Sequence, residues 1–142
     1  MSLPDIVLDH IAIATKDIER SVKIFEDLGL KFSNERELVE TEKVETAFAQ
    51  VDQNSHLELL KPINNEGPIQ KFIDRNGEGI HHLCFRVQDV ERKTQELKGK
   101  GFQLIYESPR SGANNCLVNF IHPKSTGGVL IEISQKLPEE TV

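Results

Sequence analysis

The chain is poor in several residue types: its 142 residues include no tryptophan, one methionine, one tyrosine and two cysteines. No apolar run approaches the ~20 residues that a membrane-spanning helix needs. The opening Met-Ser-Leu-Pro-Asp lacks the basic and apolar stretches of a signal peptide. We therefore expect a cytoplasmic protein without a membrane partner. Without a secretion signal, Cys84 and Cys116 are expected to be reduced, buried and inert.

Positive charge is also scarce. Seventeen Lys and Arg stand against 23 Asp and Glu, which gives a formal net charge of −6 at pH 7. Nucleic-acid binding depends on a basic excess that displaces counterions from the phosphates, and this chain has none. The sequence therefore predicts no nucleic-acid partner, although a few converging Lys and Arg would suffice for a small anionic ligand.

The chain contains an internal repeat that begins at a histidine. Asp9-His10-Ile11-Ala12-Ile13 aligns with His81-His82-Leu83-Cys84-Phe85, and the same offset aligns Gly29 with Gly101. After a short insertion, Leu57-Glu58-Leu59 aligns with Ile131-Glu132-Ile133. Each repeat therefore begins with a His on one apolar strand and ends with a Glu on another.

Both repeats predict the same order of elements, βαβββ. Apolar runs and turn residues predict strands at 7–14, 31–38, 43–51 and 55–61, and again at 80–87, 102–107, 116–122 and 128–134. The helix of each repeat is capped by Asp17 or Asp89 and ends at Gly29 or Gly101.

One βαβββ module exposes an apolar sheet face that needs a partner, so two modules should share one domain. We predict an α+β fold of two tandem βαβββ modules that form a curved eight-stranded sheet around a metal cleft. The predicted boundaries are 5–63 for the first module, 64–78 for a linker with a short helix, and 79–136 for the second module.

Four residues stand out as candidate metal ligands: His10, Glu58, His82 and Glu132. Each Glu interrupts an otherwise apolar strand, where an ionised carboxylate is costly unless it is paired or bound to a cation. A single divalent ion explains all four residues at matching places in the two repeats. Imidazole and carboxylate ligands suit cobalt, nickel, manganese or zinc alike, so the metal stays open among these.

The remaining histidines are expected to be structural or peripheral. Strand alternation turns His81 to the face opposite His82, whereas His56 and His122 are expected at exposed or edge positions. Glu45 lies in a predicted strand, and a solvated position is the simplest interpretation of it. The segment His122-Pro123-Lys124-Ser125-Thr126-Gly127-Gly128 reads as a turn, with the alternative that it cradles an anionic or thioester group.

With these features in place, the chain resembles the methylmalonyl-CoA epimerases of the vicinal oxygen chelate superfamily, which also includes glyoxalase I and extradiol dioxygenases. The resemblance extends from about residue 7 to 135. It is carried by Leu8-Asp9-His10-Ile11-Ala12-Ile13-Ala14, Leu57-Glu58-Leu59-Leu60, Gly77-Glu78-Gly79-Ile80-His81-His82 and the stretch from His122 to Glu132.

The resemblance implies a function, a ligand set and an assembly. The family's metal ligands fall on His10, Glu58, His82 and Glu132, and its proton-transfer carboxylates on Glu45 and Glu132, with Glu58 as the alternative if Glu45 proves remote. It further implies a homodimer that epimerises an acyl-CoA thioester, methylmalonyl-CoA. A divalent ion would stabilise the enolate while two acid–base groups exchange the α-proton.

Three rival functions share the superfamily. A glyoxalase I-type lactoylglutathione lyase would use the same ligands, but its members typically carry a different turn before the last strand. A dioxygenase would want two His and one carboxylate, so a fourth ligand, Glu58, disfavours it. A non-catalytic small-molecule-binding member would not need the buried His and Glu pairs.

Overall fold

The computed structural model describes residues 5–139. The strands are β1 (Ile6–Ala14), β2 (Glu37–Val39), β3 (Val44–Gln50), β4 (His56–Pro62), β5 (Gly79–Val87), β6 (Arg110–Ser111), β7 (Cys116–Ile121) and β8 (Leu130–Lys136). The α helices are α1 (Ile18–Asp27), α2 (Pro68–Asn76) and α3 (Val90–Gly99). The eight strands form one sheet in the order β2-β3-β4-β1-β5-β8-β7-β6, which confirms the predicted α+β fold. None of the helices in residues 5–139 has both the length and the apolar character that crossing a membrane requires.

The two repeats have the same strand pairing. In the first, β1 runs parallel to β4, and β4, β3 and β2 are antiparallel neighbours. In the second, β5 runs parallel to β8, followed by antiparallel β7 and β6. The βαβββ order predicted from the sequence is therefore confirmed in both repeats.

The helices of the two repeats begin and end in the same way. The carboxylates of Asp17 and Asp89 accept hydrogen bonds from the backbone N–H groups of Arg20 and Arg92, and so cap α1 and α3. Gly29 and Gly101 follow the helices with φ angles of 112° and 92°, a region that favours glycine. Local sequence was enough to predict both ends.

Two predicted strands are wrong in extent. Of the strand predicted at 31–38, the structure has an isolated bridge at Phe32 and the start of the short β2. Of the strand predicted at 102–107 it has an isolated bridge at Leu104, and the short β6 comes later in the chain. Both side chains pack into apolar clusters beside a helix. Four polar residues lie between Phe32 and β2, and Glu107-Ser108-Pro109 comes shortly after Leu104, so neither apolar stretch continues into a long ladder.

By their contacts the described residues divide into two compact units, which we call the central unit (His10–His81) and the terminal unit (residues 5–9 and 82–139). In the central unit, Leu57 and Leu59 of β4 belong to the apolar cluster that contains α1. Their neighbour Leu60 packs on the other face of the sheet with Ile69 and Ile73 of α2.

The terminal unit places α3 against one sheet face. Val90 of α3 packs with Ile121 of β7 and Ile133 of β8 in a buried apolar cluster. Because side chains alternate along a strand, residues 120 and 132 point to the face opposite α3. Glu132 therefore lies on the face of the sheet opposite α3.

Candidate functional site

His10 and Glu58 lie on the α2 face of the central unit. His10 lies on the same face of β1 as Ala12 and Ala14, because residues two positions apart in a strand share a face. Ala12 and Ala14 belong to the apolar cluster around α2. The register places Ala12 opposite Glu58 and His10 opposite His56. His10, His56 and Glu58 therefore project from neighbouring positions on one face.

The imidazoles of this group converge on one carboxylate oxygen. The Nε2 atom of His10 lies 3.6 Å from Oε2 of Glu58, and Nε2 of His56 lies 3.7 Å from the same oxygen. The two rings stack with centroids 5.0 Å apart, and Phe48 contacts His56 at 5.6 Å between centroids. Two nitrogen donors and one oxygen donor thus lie together on a partly buried face of the sheet in the central unit.

The terminal unit repeats the pair. Nε2 of His82 lies 3.3 Å from Oε1 of Glu132, and both side chains are largely buried, with 11% and 14% of their surface exposed. The ring of Phe120, the residue paired with Glu132 across the strands, meets His82 edge-on at 6.2 Å. The second repeat therefore builds its own His–Glu pair beside an aromatic ring.

The donor set of each pair fits a divalent metal ion. Charge-assisted hydrogen bonds between nitrogen and a carboxylate are usually about 2.7–2.9 Å long, and all three separations are longer than this. Imidazole nitrogen and carboxylate oxygen are ligands that divalent first-row metals accept. The His–Glu pairs are thus chemically suited to such an ion.

Neither cysteine forms a disulfide in residues 5–139. Cys84, paired with Glu132 across β5 and β8, is buried and lies 3.5 Å from the Ser134 hydroxyl. Cys116 is partly exposed, and burial raises the pKa of its thiol. The raised pKa keeps the Cys116 thiol in the protonated, less reactive form at neutral pH.

Glu45 does not join the His10 and Glu58 pair. The β3–β4 register is continuous, with Phe48 opposite Glu58 and Glu45 opposite Lys61. Phe48 and Glu45 are three positions apart, so alternation turns Glu45 to the other face of the sheet. The register therefore does not support Glu45 as a base that acts beside His10. Glu58, the alternative named from the sequence, lies next to His10.

The position of His56 beside His10 and Glu58 differs from the prediction made from the sequence. His56 was expected at an exposed or edge position, yet 26% of its side chain is exposed and its ring stacks on His10. The spacing of the two residues could have predicted this position. His56 precedes Glu58 by two positions in a strand, so both side chains lie on one face.

The other two histidines have local contacts. The ring of His81 meets Phe72 of α2 edge-on, with centroids 5.0 Å apart. His122 accepts a hydrogen bond from the backbone N–H of Lys124 through Nδ1, at the start of a short 3-10 turn. These contacts give each imidazole a structural role.

The 122–128 segment satisfies its own backbone. The N–H groups of Ser125, Thr126 and Gly128 donate to carbonyl oxygens of His122 and Pro123. The Thr126 hydroxyl also accepts from the backbone N–H of Val129. Because these donors are used internally, the segment is better described as a turn than as an anion cradle.

The sequence matches the model of one protein family. Residues 9–120 match the glyoxalase/bleomycin resistance protein/dioxygenase superfamily. The matched region includes both histidines that begin the repeats, and His56 and Glu58.

Several similar proteins are methylmalonyl-CoA epimerases. The chain is 35% identical to a mitochondrial methylmalonyl-CoA epimerase of Dictyostelium discoideum, over 91% of this chain and 78% of that protein. A crystal structure of methylmalonyl-CoA epimerase from Mycobacterium tuberculosis is 34% identical, with a TM-score of 0.79 over 92% of this chain and 88% of that one. A methylmalonyl-CoA epimerase in complex with methylmalonyl-CoA and an ammonium ion is 30% identical, with a TM-score of 0.81 over 95% and 97% of the two chains.

Proposed function

The chain belongs to the glyoxalase/bleomycin resistance protein/dioxygenase superfamily and, within it, to the methylmalonyl-CoA epimerases, and we propose that it interconverts (2S)- and (2R)-methylmalonyl-CoA with a divalent metal ion. The observation that carries this proposal is the repeated His–Glu pair. Each repeat presents one imidazole beside one carboxylate, on strands that correspond in the two repeats.

We propose that His10, Glu58, His82 and Glu132 together hold one ion per active site. When bound, such an ion would act as a Lewis acid that stabilises the negative charge developing on the thioester oxygen. Cobalt, nickel, manganese and zinc all match this ligand set. The large burial of His82 and Glu132 would limit competition from water for the same positions.

Glu132 and Glu58 are the groups proposed to move the proton. One carboxylate takes the proton of the α-carbon, and the electron pair of the broken C–H bond passes into the enolate. The other carboxyl group, which would bind the metal through one oxygen and start with a proton on its second oxygen, then delivers that proton to the opposite face of the same carbon. Phe120 beside His82 and Phe48 beside His56 line the two pairs with apolar surface, which strengthens electrostatic interactions there.

The decisive experiment is proton exchange in D2O. Methylmalonyl-CoA is incubated with metal-loaded protein, and the α-proton is followed by proton NMR. We expect the signal to disappear quickly with the wild-type protein and to persist with His82→Ala, because that substitution removes a proposed ligand.

The two negative outcomes have different meanings. No exchange by well-metallated wild-type protein would contradict the epimerase proposal, and the hemithioacetal of glutathione and methylglyoxal would then be tested for a glyoxalase I-type activity. Equal exchange with the His82→Ala variant, or in the presence of a chelator, would contradict the metal dependence and leave the epimerase in place.

Three further points extend the proposal. We propose that the protein works as a homodimer in the cytoplasm, and that 5–63 and 79–136, joined by 64–78, act as two modules of a single domain. The matching strand order in the two repeats supports the modular division. Sedimentation at micromolar protein concentration would measure the mass of the assembly.

A further inference from the structure

His56 occupies a position that strand geometry ties to the proposed metal ligands. It begins β4, faces His10 across the parallel β1–β4 ladder, and shares its face of the sheet with Glu58. No part of the family resemblance assigns this residue. Its placement depends on the register of the central unit alone.

The imidazoles of His10 and His56 both lie close to the Glu58 carboxylate. Both Nε2 atoms face the same Glu58 oxygen, at 3.6 and 3.7 Å. With bonds near 2.1 Å, adjacent ligands of a six-coordinate metal lie about 3 Å apart. A nitrogen atom of His10 and one of His56 lie within 4.8 Å of each other. Rotation of the side chains would therefore be needed to bring the three donor atoms to ligand spacing, and it would require no change of strand register.

The packing holds His56 in this orientation. Its ring lies between His10, stacked at 5.0 Å, and Phe48, tilted at 5.6 Å. With 26% of the side chain exposed, the imidazole is partly withdrawn from water. A ring fixed on two sides loses less rotamer freedom when it binds a ligand.

The second repeat has no counterpart to this imidazole. The β5–β8 register places Leu130 opposite His82, where β1 and β4 place His56 opposite His10. Leucine has no donor atom. The third donor therefore belongs to the first repeat.

We propose that His56 is an additional metal ligand, so that His10, His56 and Glu58 form a two-histidine, one-carboxylate set within the central unit. This inference rests on the metal dependence of the proposed function and adds a ligand to it. An added imidazole should shift metal preference toward nickel, cobalt and zinc, because imidazole suits these ions better than manganese, which favours oxygen ligands.

The test measures metal affinity without using activity. Isothermal titration of the metal-free protein gives the Kd for Ni²⁺ and for Mn²⁺, in the wild type and in His56→Phe. Phenylalanine keeps a ring between His10 and Phe48 but has no donor nitrogen. His81→Phe is the matched control, because it also replaces a histidine ring that packs against a phenylalanine.

The expected result is selective. His56→Phe should weaken Ni²⁺ binding by at least the roughly 10- to 100-fold that loss of a group supporting a ligand costs. Mn²⁺ binding should weaken much less, and His81→Phe should change neither affinity. Co²⁺-loaded His56→Phe should also show a changed visible absorption spectrum, since the spectrum responds to the number and type of ligands. His56→Ala should weaken Ni²⁺ binding in the same selective way while its circular dichroism spectrum stays unchanged. This agreement would show that the result does not depend on the phenylalanine ring introduced in His56→Phe.

Two results would overturn the inference, and they are distinguishable from a failure of the proposed function. Equal weakening for both metals would mean that His56 only orients Glu58, and unchanged affinities would mean that it plays no part. In both cases the wild-type protein still binds metal, so the proposed function is untouched. A wild-type protein that binds neither ion would remove the metal dependence and this inference together.

Discussion

At the scale of single residues, the side of the sheet decides which carboxylate can act with His10. Glu45 and Glu58 are both glutamates on neighbouring strands, but Glu58 lies opposite Phe48 and Glu45 lies opposite Lys61. That difference places them on opposite faces. The presence of a glutamate in a strand therefore does not show which side chains it can act with. The register of the strand is needed to decide this.

A matched pair of substitutions tests the two glutamates. Glu45→Gln should keep metal affinity and the rate of α-proton exchange within about twofold, since surface changes away from a site have small effects. Glu58→Gln should lower exchange by about 100-fold or more, because the amide keeps an oxygen for the metal but cannot take up the proton. Deuterium exchange by NMR, with metal content measured in each sample, gives both values.

The reverse pattern would return Glu45 to the mechanism. Loss of exchange in Glu45→Gln with full metal content would show that the carboxylate acts on the substrate despite its face. Full activity of Glu58→Gln would remove Glu58 as the second acid–base group.

At the scale of secondary-structure elements, one buried amide joins β7, α3 and the segment before β6. The side-chain oxygen of Asn119 accepts hydrogen bonds from the backbone N–H groups of Tyr106 and Phe120. Its nitrogen donates to the Thr94 hydroxyl and to the Tyr106 carbonyl. Asn119 is fully buried, so each of these groups depends on it to replace water.

Asn119→Ala should lower the free energy of unfolding by about 2–4 kcal/mol, because it leaves several buried polar groups unpaired. Urea unfolding followed by circular dichroism measures the change. Asn76→Ala is the control: its side chain contacts the Phe72 carbonyl at an exposed position, and its effect should stay near 0.5 kcal/mol. A loss below about 1 kcal/mol in Asn119→Ala would show that water replaces the amide.

A second element-level contact holds the start of α1 to the segment before β5. The Glu78 carboxylate accepts from the backbone N–H of Lys16 at 2.6 Å and from Nη2 of Arg20 at 2.7 and 2.9 Å. The Lys16 N–H, with the Arg20 guanidinium adding to it, holds the pKa of Glu78 below its ordinary value of 4.5. Since the folded pKa is lowered, the ionised form stabilises the fold above pH 4.5, and this stabilisation is lost as the pH falls through the folded pKa.

Glu78→Gln should therefore be less stable than the wild type at pH 7 and equally stable in acid. The gap should be about 1 kcal/mol, because the pair is partly exposed and screened by water. Urea unfolding at several pH values between 7 and 3 measures it, with Glu26→Gln on the exposed side of α1 as the control. A gap that persists at pH 3 would mean that the substitution acts through packing and not through charge.

At the scale of the whole molecule, the repeat raises the question of whether the two His–Glu pairs serve one ion or two. A ligand that binds only the folded state stabilises it by about 2.7 kcal/mol at a concentration 100-fold above its Kd. If one ion uses both pairs, His10→Ala and His82→Ala should each abolish nearly all of the rise in Tm caused by Ni²⁺. The double variant should then show no further loss.

Differential scanning calorimetry with and without Ni²⁺ distinguishes the two arrangements. Two independent ions would give additive losses, with each single variant keeping about half of the stabilisation. The Tm values of the metal-free proteins provide the baseline, since each substitution also alters packing.

The sequence by itself determined what depends on local spacing. The repeat, the capping by Asp17 and Asp89, the ends at Gly29 and Gly101, and the His and Glu types at matching places could all be predicted, because each rests on residues a few positions apart or on self-similarity. The extents of the strands around Phe32 and Leu104 could not, since those side chains pack against helices instead of continuing a ladder.

Only the tertiary structure decided which side chains share a face. The face of Glu45 and the convergence of His56 and His10 on Glu58 depend on strand register, and a shift of one residue would exchange the faces. Register is set by the packing of Leu57 and Leu59 with α1 and of Leu60 with α2, contacts between residues far apart in the chain. The sequence shows which residue types are present, whereas long-range packing determines which of their side chains lie close together.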